Sequence, residues 1–128
     1  MRKHISKKVR DAVKNKFGGH CAYCGEIPEK ICIDHIHPVI RSHHLKGADI
    51  NDINNLMPSC YSCNSYKLSF TLEQFRSSLE SQVKMARMYS INFRLAERFK
   101  LLEINEKPIK FYFESCGEAP QPESKGDE

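Results

Sequence analysis

The sequence contains no apolar run that approaches the roughly 20 residues of a membrane-spanning helix. Its first residues, MRKHISKKVR, also lack the apolar segment that a signal peptide needs. Both absences favour a cytoplasmic protein over a membrane-spanning or secreted one. Apart from two cysteine pairs there is no internal repeat, and no composition change marks a domain boundary. The length of 128 residues and the charged content of 28% are typical of one globular domain.

Acidic residues are scarce near the N-terminus, although the formal net charge of the whole chain is only +4. Asp11 stands there against the basic residues Arg2, Lys3, Lys7, Lys8, Arg10, Lys14 and Lys16. Such a basic segment favours a polyanionic partner such as nucleic acid. The alternative is a solvated helix face, which charge alone would favour slightly. The other end, 115–128, is acidic and contains Pro and Gly without periodicity, which predicts a disordered tail.

The first half of the chain alternates between helix and strand signals. Ser6 can cap a helix through KKVRDAVKNKF that the pair Gly18-Gly19 would stop. KICIDHI is predicted as a strand that ends before Pro38, and NLMPSC as a second short strand. A short helix fits YSCNSYKL. The loop between the two strands is polar.

The second half is predicted to be a helical extension over 71–103. The apolar residues of its first helix are three or four positions apart, at Leu72, Phe75, Leu79, Val83 and Ala86. Ser90 can cap a second helix whose inner face carries Leu95, Phe99 and Leu102. PIKFYFE alternates and predicts a final strand over 109–114, with its aromatic residues in the core. The whole of 1–114 is then one domain.

Six cysteines in a cytoplasmic chain argue against a disulfide framework. Four of them form two C-x-x-C pairs, Cys21 with Cys24 and Cys60 with Cys63. One such pair alone could be a redox motif, but two in a small domain favour a tetrahedral zinc site. Four sulfur ligands leave no open coordination position, so the zinc would be structural. Cys32 is expected to be a small buried side chain and Cys116 to lie in the tail.

Groups suited to phosphodiester chemistry lie between and beside the cysteine pairs. Asp34 and His35 are adjacent in the first predicted strand, and Asn64 and Lys67 share a helix face with Cys60 and Cys63. A carboxylate and an amide oxygen suit a hard cation such as Mg²⁺ or Mn²⁺. A histidine can take a proton from water near pH 7. Together these groups predict a metal-assisted phosphodiesterase.

The segments CAYCG, IDHIHP, NNLMPSC and CYSCNSYK, in this order, resemble the HNH endonuclease family. The resemblance covers about 21–68 and implies an α+β fold with a ββα-metal core and a structural zinc site of four cysteines. It also implies that His35 is the general base and that Asn55 ties the loop to the strand and orients His35. Asp34 and Asn64 would hold the catalytic divalent metal. The products would be 5′-phosphate and 3′-hydroxyl ends.

Two positions depart from the family pattern, and a third is ambiguous. Asn64 stands where the motif ends in histidine, which leans the catalytic metal toward Mg²⁺ or Mn²⁺. Leu68 stands where many members have glycine. Asn54 precedes Asn55, and the following Leu56 favours Asn55 as the middle residue of the motif. The stretch FRLAERF and the final predicted strand also look like the C-terminal segments of small phage and bacterial members, which would place the chain in a bacterial or phage-infected cell.

DNA, double-stranded by expectation, is the implied partner, with no membrane and with an unknown oligomeric state. The predicted backbone contacts are Lys67, Arg41, Lys7, Lys8, Arg10 and Lys14. His43 and His44 are predicted to lie on the surface, with phosphate contact as the sharper alternative, and His37 to be a bystander. The rival function is a non-catalytic zinc module that binds DNA or protein. A nuclease toxin domain is a third candidate without a supporting feature.

Overall fold

A computed structural model of the chain describes residues 5–37 and 51–116. Within these ranges the helices and strands, in chain order, are α1 Lys7–Lys14, β1 Cys32–His35, β2 Leu56–Ser59, α2 Tyr61–Lys67, α3 Leu72–Glu80, α4 Gln82–Tyr89, α5 Ile91–Arg98 and α6 Tyr112–Ser115. A single 3₁₀ turn, Ile53–Asn55, leads into β2. The two strands, the helix that follows them and a four-cysteine cluster form an α+β fold of the ββα-metal type, as predicted.

The described residues divide into two compact units. One consists of the described residues within Met1–Leu72 and Lys110–Glu128, and the other is Glu73–Ile109. Four residues of the predicted polar loop, Arg41, His43, His44 and Lys46, lie outside the described residues, as does most of the predicted disordered tail. No helix in the described ranges is both long and apolar enough to cross a membrane.

The sheet of the first unit consists of β1 and β2, which pair antiparallel. Asp34 lies opposite Met57 and His35 opposite Leu56. Every residue of β2 is buried. Helix α1 packs on both strands, and α2 packs on β1. The last residue of β1 is His35, and the chain bends over 36–37. The strand is therefore shorter than the predicted KICIDHI, and it ends at His35, the predicted general base.

Helix α1 begins as predicted, since the hydroxyl of Ser6 accepts a hydrogen bond from the Val9 N–H (3.2 Å). It ends at Lys14, earlier than the glycine pair. Lys16 follows, and its ammonium donates to the carbonyl oxygens of Ile53 (2.7 Å) and Leu56 (2.6 Å). Burial lowers the pKa of Lys16. This lysine is thus a tether between the end of α1 and the turn before β2, in addition to being part of the basic segment.

Helix α2 ends in a strained turn. The Phe70 N–H donates to the Lys67 carbonyl (2.7 Å), and Leu68 between them has φ 44° and ψ −117°. This is the first central position of a type II′ turn, which strongly favours glycine. The turn therefore keeps the backbone conformation of a glycine-containing helix end although leucine occupies the position.

The predicted final strand over 109–114 is wrong, because this segment contains the helical turn α6 instead. The Tyr112 N–H donates to the Tyr23 carbonyl (3.0 Å), and the Phe113 N–H donates to the Ala22 carbonyl (2.8 Å). A Glu114 carboxylate oxygen accepts from the Phe111 N–H (2.8 Å). The alternating aromatic residues predicted a strand. The backbone N–H groups of Tyr112 and Phe113 instead donate to carbonyl oxygens of the first cysteine turn. Phe111 is buried, as expected for core.

The second unit is helical, as predicted for the extension, with two differences. The first predicted helix is divided at Ser81 into α3 and α4. Helix α5 begins at the predicted cap, where the Ser90 hydroxyl accepts from the Phe93 N–H (3.1 Å). Its predicted inner face is wrong, since Leu95, Phe99 and Leu102 are 39%, 69% and 37% exposed. Apolar spacing located the helix but not the depth of its side chains.

Candidate functional site

The two cysteine pairs meet in one cluster, in which all four sulfur atoms lie within 4.8 Å of one another. Cys24 Sγ and Cys60 Sγ are 3.9 Å apart. Cys60 also caps α2, because its sulfur accepts from the Cys63 N–H (3.4 Å). The Tyr23 N–H points at Cys21 Sγ in the same way (3.4 Å). Each pair therefore places a backbone donor on a sulfur atom, an arrangement that suits thiolate ligands.

The pKa values of the thiols show why this cluster suits a bound cation. The pKa of Cys21 is lowered to about 4, first because the Cys63 thiol donates a hydrogen bond to it. The same hydrogen bond, followed by burial, raises the pKa of Cys63. Burial raises the pKa of Cys24 to about 11. Each thiolate that forms thus opposes ionisation of the next, and a divalent cation among the sulfurs would relieve that repulsion.

The first cysteine turn is packed against the C-terminal segment. Gly25 has φ +83°, and a Cβ on it would lie 2.9 Å from the Tyr112 ring. The ring of His20 stacks on Tyr112 at 4.9 Å, and its Nδ1 lies 2.8 Å from the Gly25 carbonyl oxygen. Only glycine provides both the backbone angle and the room for this contact. The first cysteine turn and α6 therefore pack directly against each other.

Asp34, the predicted metal ligand, is buried with 5% of its surface exposed. The Tyr23 hydroxyl donates to its Oδ2 (2.6 Å), and the Lys67 ammonium lies 3.1 Å from the same oxygen. Burial, and then the Asp34 charge, raises the pKa of Tyr23, which keeps the hydroxyl protonated as a donor. Among the described residues both contacts fall on Oδ2, so Oδ1 is the carboxylate oxygen that they leave for a ligand.

Lys67 differs from its prediction as a phosphate contact. Its side chain is fully buried, and its ammonium donates to the His35 carbonyl oxygen (2.9 Å) while it pairs with Asp34. A buried ammonium that is engaged in this way cannot reach a DNA backbone. The spacing along α2 placed Lys67 on the same face as Cys63 and Asn64. It did not reveal that this face packs on β1, where the buried carboxylate needs a cation.

His35, the predicted general base, is half-buried at the end of β1. Its Nε2 lies 2.8 Å from the side-chain oxygen of Asn51. Asn51 belongs to the loop NDINNL but was not singled out in the sequence. An amide oxygen accepts hydrogen bonds and cannot donate them, so it favours the tautomer with the proton on Nε2. That leaves Nδ1 as the nitrogen that can accept a proton.

Asn55, the predicted orienting residue, ties the loop to the end of the strand. Its Oδ1 accepts from the His37 N–H (2.9 Å), its Nδ2 lies 3.4 Å from the His37 carbonyl, and its own carbonyl accepts from the Ile36 N–H (2.9 Å). These bonds hold the bend that follows His35. The predicted contact between loop and strand is therefore present, and it acts on the backbone after His35. The His37 side chain itself is exposed.

Asn64, the predicted second ligand, is half-buried on α2, directly after Cys63. Lys67 lies one helical turn further along the same face, and it contacts Asp34. Asn64 thus belongs to the side of α2 that faces β1. Its amide oxygen is of the kind that suits a hard divalent cation.

The basic residues of α1 form an exposed face. Lys7, Arg10 and Lys14 are three or four positions apart, and they are exposed together with Lys8. Lys7 pairs with Asp11 (3.0 Å), with 87% and 52% of the two side chains exposed. Val13, by contrast, is fully buried. The face is available to a polyanion, and equally it has the composition of a solvated helix surface.

Sequence reasoning did not single out Tyr23 and Asn51, which contact Asp34 and His35, and it did not identify Lys16 as a tether. Tyr23 was visible as the aromatic residue inside CAYCG, between two cysteines. A tyrosine there had no evident partner until the fold brought Asp34 to it. Asn51 was one of several asparagines in its loop, and spacing could not separate them. All three contacts join residues at least 11 positions apart in the sequence.

Comparison with known proteins assigns part of this chain to a family. Residues 21–69 match the family model described as HNH endonuclease. The SPbeta prophage-derived protein YoqL of Bacillus subtilis (strain 168), whose name assigns it provisionally as an HNH endonuclease, is 34% identical over 91 residues. That alignment covers 68% of this chain but only 39% of the relative. No solved structure gives a significant match. The segment 21–69, which carries both strands, α2 and the cysteine cluster, is thus a domain of the HNH endonuclease family.

Proposed function

We propose that this chain is a metal-dependent DNA endonuclease that hydrolyses phosphodiester bonds with His35 as the general base. The observation that supports this most is the end of β1 within the family segment. There an acid and a histidine are adjacent, both are restrained by hydrogen bonds, and the chain bends directly afterwards. Strict strand alternation would aim these two side chains at opposite faces. The bend at the strand end relaxes that restriction for His35.

His35 would take a proton from the attacking water. With Nε2–H donating to Asn51, the lone pair on Nδ1 is the acceptor. The resulting hydroxide attacks phosphorus in line with the departing 3′ oxygen. The products are a 5′-phosphate and a 3′-hydroxyl. Asn55 supports this step indirectly, because it holds the backbone of the bend.

Two metal sites complete the proposal. Asp34 through Oδ1 and Asn64 through its amide oxygen would hold the catalytic Mg²⁺ or Mn²⁺. Such an ion supplies charge stabilisation for the phosphate and for the departing oxygen. Cys21, Cys24, Cys60 and Cys63 would hold a structural Zn²⁺, for which a closed set of four sulfurs is the expected donor set.

The proposed substrate is double-stranded DNA, gripped by the basic face of α1 through its backbone phosphates. One site per chain would nick one strand. The prophage origin of YoqL supports a bacterial or phage-infected cell as the setting.

Plasmid nicking tests the mechanism. We expect zinc-loaded wild-type protein to nick supercoiled plasmid with Mg²⁺ or Mn²⁺ and to be inactive in EDTA. Loss of a general base typically costs 10²–10⁴ in rate, so His35→Ala should fall by at least roughly a hundredfold. His37→Ala is the matched control, because this exposed histidine lies two residues further on. Equal activity of His35→Ala and wild type would contradict the assignment of the base.

A non-catalytic zinc module that binds DNA is the second candidate, because a cysteine cluster and an exposed basic helix are all that it requires. The same experiment separates the two. If no divalent metal supports nicking while plasmid still binds at low salt, the module describes the chain better.

A further inference from the structure

We propose that Tyr23 and Lys67 are positioning residues that clamp one oxygen of Asp34 and so present the other oxygen to the catalytic metal. This inference rests on the proposed function and deepens it. It assigns a role to two residues that touch neither the reacting water nor the phosphate.

The clamp is selective for one oxygen. The Tyr23 hydroxyl is 2.6 Å and the Lys67 ammonium 3.1 Å from Oδ2 of Asp34. A carboxylate that rotates freely would exchange its oxygens between a metal and other partners. Two donors on Oδ2 stop this rotation, and they leave Oδ1 with a fixed direction. Fixing ligand direction through hydrogen bonds is how outer residues around a metal raise its affinity.

Lys67 extends the clamp to the neighbouring residue. Its ammonium also donates to the His35 carbonyl oxygen (2.9 Å). One buried cation therefore fixes the side chain of the proposed ligand and the backbone of the proposed base. The relative position of these two groups decides whether a metal-bound phosphate can face the attacking water. The i, i+3 spacing to Asn64 places this lysine on the same helix as the second proposed ligand.

Tyr23 is itself held rigidly. The residue is only 3% exposed, and its ring meets Phe111 edge-on at 5.3 Å and Phe113 at 6.2 Å. Its carbonyl accepts from the Tyr112 N–H (3.0 Å). The ring therefore has no freedom to follow Asp34 if the carboxylate moves. Such a preorganised donor serves to position, whereas a mobile one would only satisfy the hydrogen bond.

Tyr23→Phe is the test, because it removes the hydroxyl and keeps the packed ring. Tyr61→Phe is the matched control, since Tyr61 is 74% exposed on α2. We measure Mn²⁺ binding to zinc-loaded protein by electron paramagnetic resonance of the free ion, and we measure nicking against Mn²⁺ concentration. Loss of such a partner typically weakens metal binding 10–100-fold. We expect Tyr23→Phe to raise both the Mn²⁺ dissociation constant and the half-saturating concentration by about tenfold or more.

The remaining outcomes distinguish this inference from the function on which it rests. Melting temperature and zinc content identify a variant that has merely lost its fold, and a purely structural hydroxyl would change these without changing Mn²⁺ affinity. Mn²⁺ binding by Tyr23→Phe equal to wild type would overturn the clamp and leave the nuclease intact. Asp34→Asn should abolish Mn²⁺ binding. If Asp34→Asn binds Mn²⁺ like wild type, or if wild type binds none, the proposed metal site is wrong and the clamp is wrong with it.

Discussion

Replacement of Lys67 by methionine should destabilise the fold severely, because it leaves a buried charge without its partner. The side chains of Lys67 and Asp34 are 0% and 6% exposed, and the ammonium makes contacts of 3.1 Å to the carboxylate and 2.9 Å to the His35 carbonyl. Methionine preserves much of the length of the side chain but makes neither contact. Breaking a buried pair from one side costs about 3–5 kcal/mol. For a domain with roughly 5–15 kcal/mol of total stability, that is a large fraction.

The measurement is the free energy of unfolding in urea at 25 °C, with zinc in excess and no Mg²⁺ or Mn²⁺. Lys7→Met is the matched control, because its ion pair with Asp11 is 87% and 52% exposed and should contribute about 0.5 kcal/mol or less. Adding Asp34→Asn to Lys67→Met removes the buried carboxylate charge that Lys67→Met leaves unpaired. The double variant should therefore lose less than the sum of the two single losses, with an interaction energy of about 1.5–3 kcal/mol. Equal losses for Lys67→Met and Lys7→Met would refute the reasoning.

Three further predictions concern the turns and the cluster. Gly25→Ala should lower the free energy of unfolding in urea by about 2–4 kcal/mol, because the new Cβ meets a tyrosine ring at 2.9 Å. Gly18→Ala is the control: the space around Gly18 is open, so this variant should lose only the positive-φ penalty of about 1–2 kcal/mol. Leu68→Gly should raise the free energy of unfolding by about 1 kcal/mol, and a lowered value would show that φ 44° is not strained there. Cys60→Ser should abolish binding of the proposed zinc and lower the melting temperature. Cys116 lies outside the cluster, so Cys116→Ser should change neither.

Local sequence signals were enough to predict the helix starts and the cysteine cluster. Ser6 and Ser90 predict helix starts because a capping hydroxyl accepts a hydrogen bond from the backbone N–H three residues later, so both partners are visible in the local sequence. The paired cysteines predict the cluster because tetrahedral coordination needs two short turns and little else. The cluster was thus predictable even though Cys24 and Cys60 are far apart in the sequence.

Features that depend on an unseen partner were not predictable in this way. The aromatic segment from Phe111 to Phe113 alternates like a strand, yet a strand needs an open sheet edge. Its donors were satisfied instead by carbonyl oxygens of the cysteine turn, at Ala22 and Tyr23. Lys67 failed as a phosphate contact for a related reason. Helix periodicity identifies which residues share a face but not what that face meets.

The proposed active site and the cysteine cluster are coupled through two short stretches of chain. Tyr23 lies between Cys21 and Cys24, and Lys67 lies one helical turn beyond Cys63 on the same helix. Both donors to Asp34 Oδ2 are therefore anchored by cysteine-bearing turns. A cation in the cluster would add to the packing that holds Tyr23 and would fix the start of the helix that carries Lys67, so its loss should loosen the hold on Asp34. A structural metal can in this way determine the geometry of a second metal site without sharing a single ligand with it.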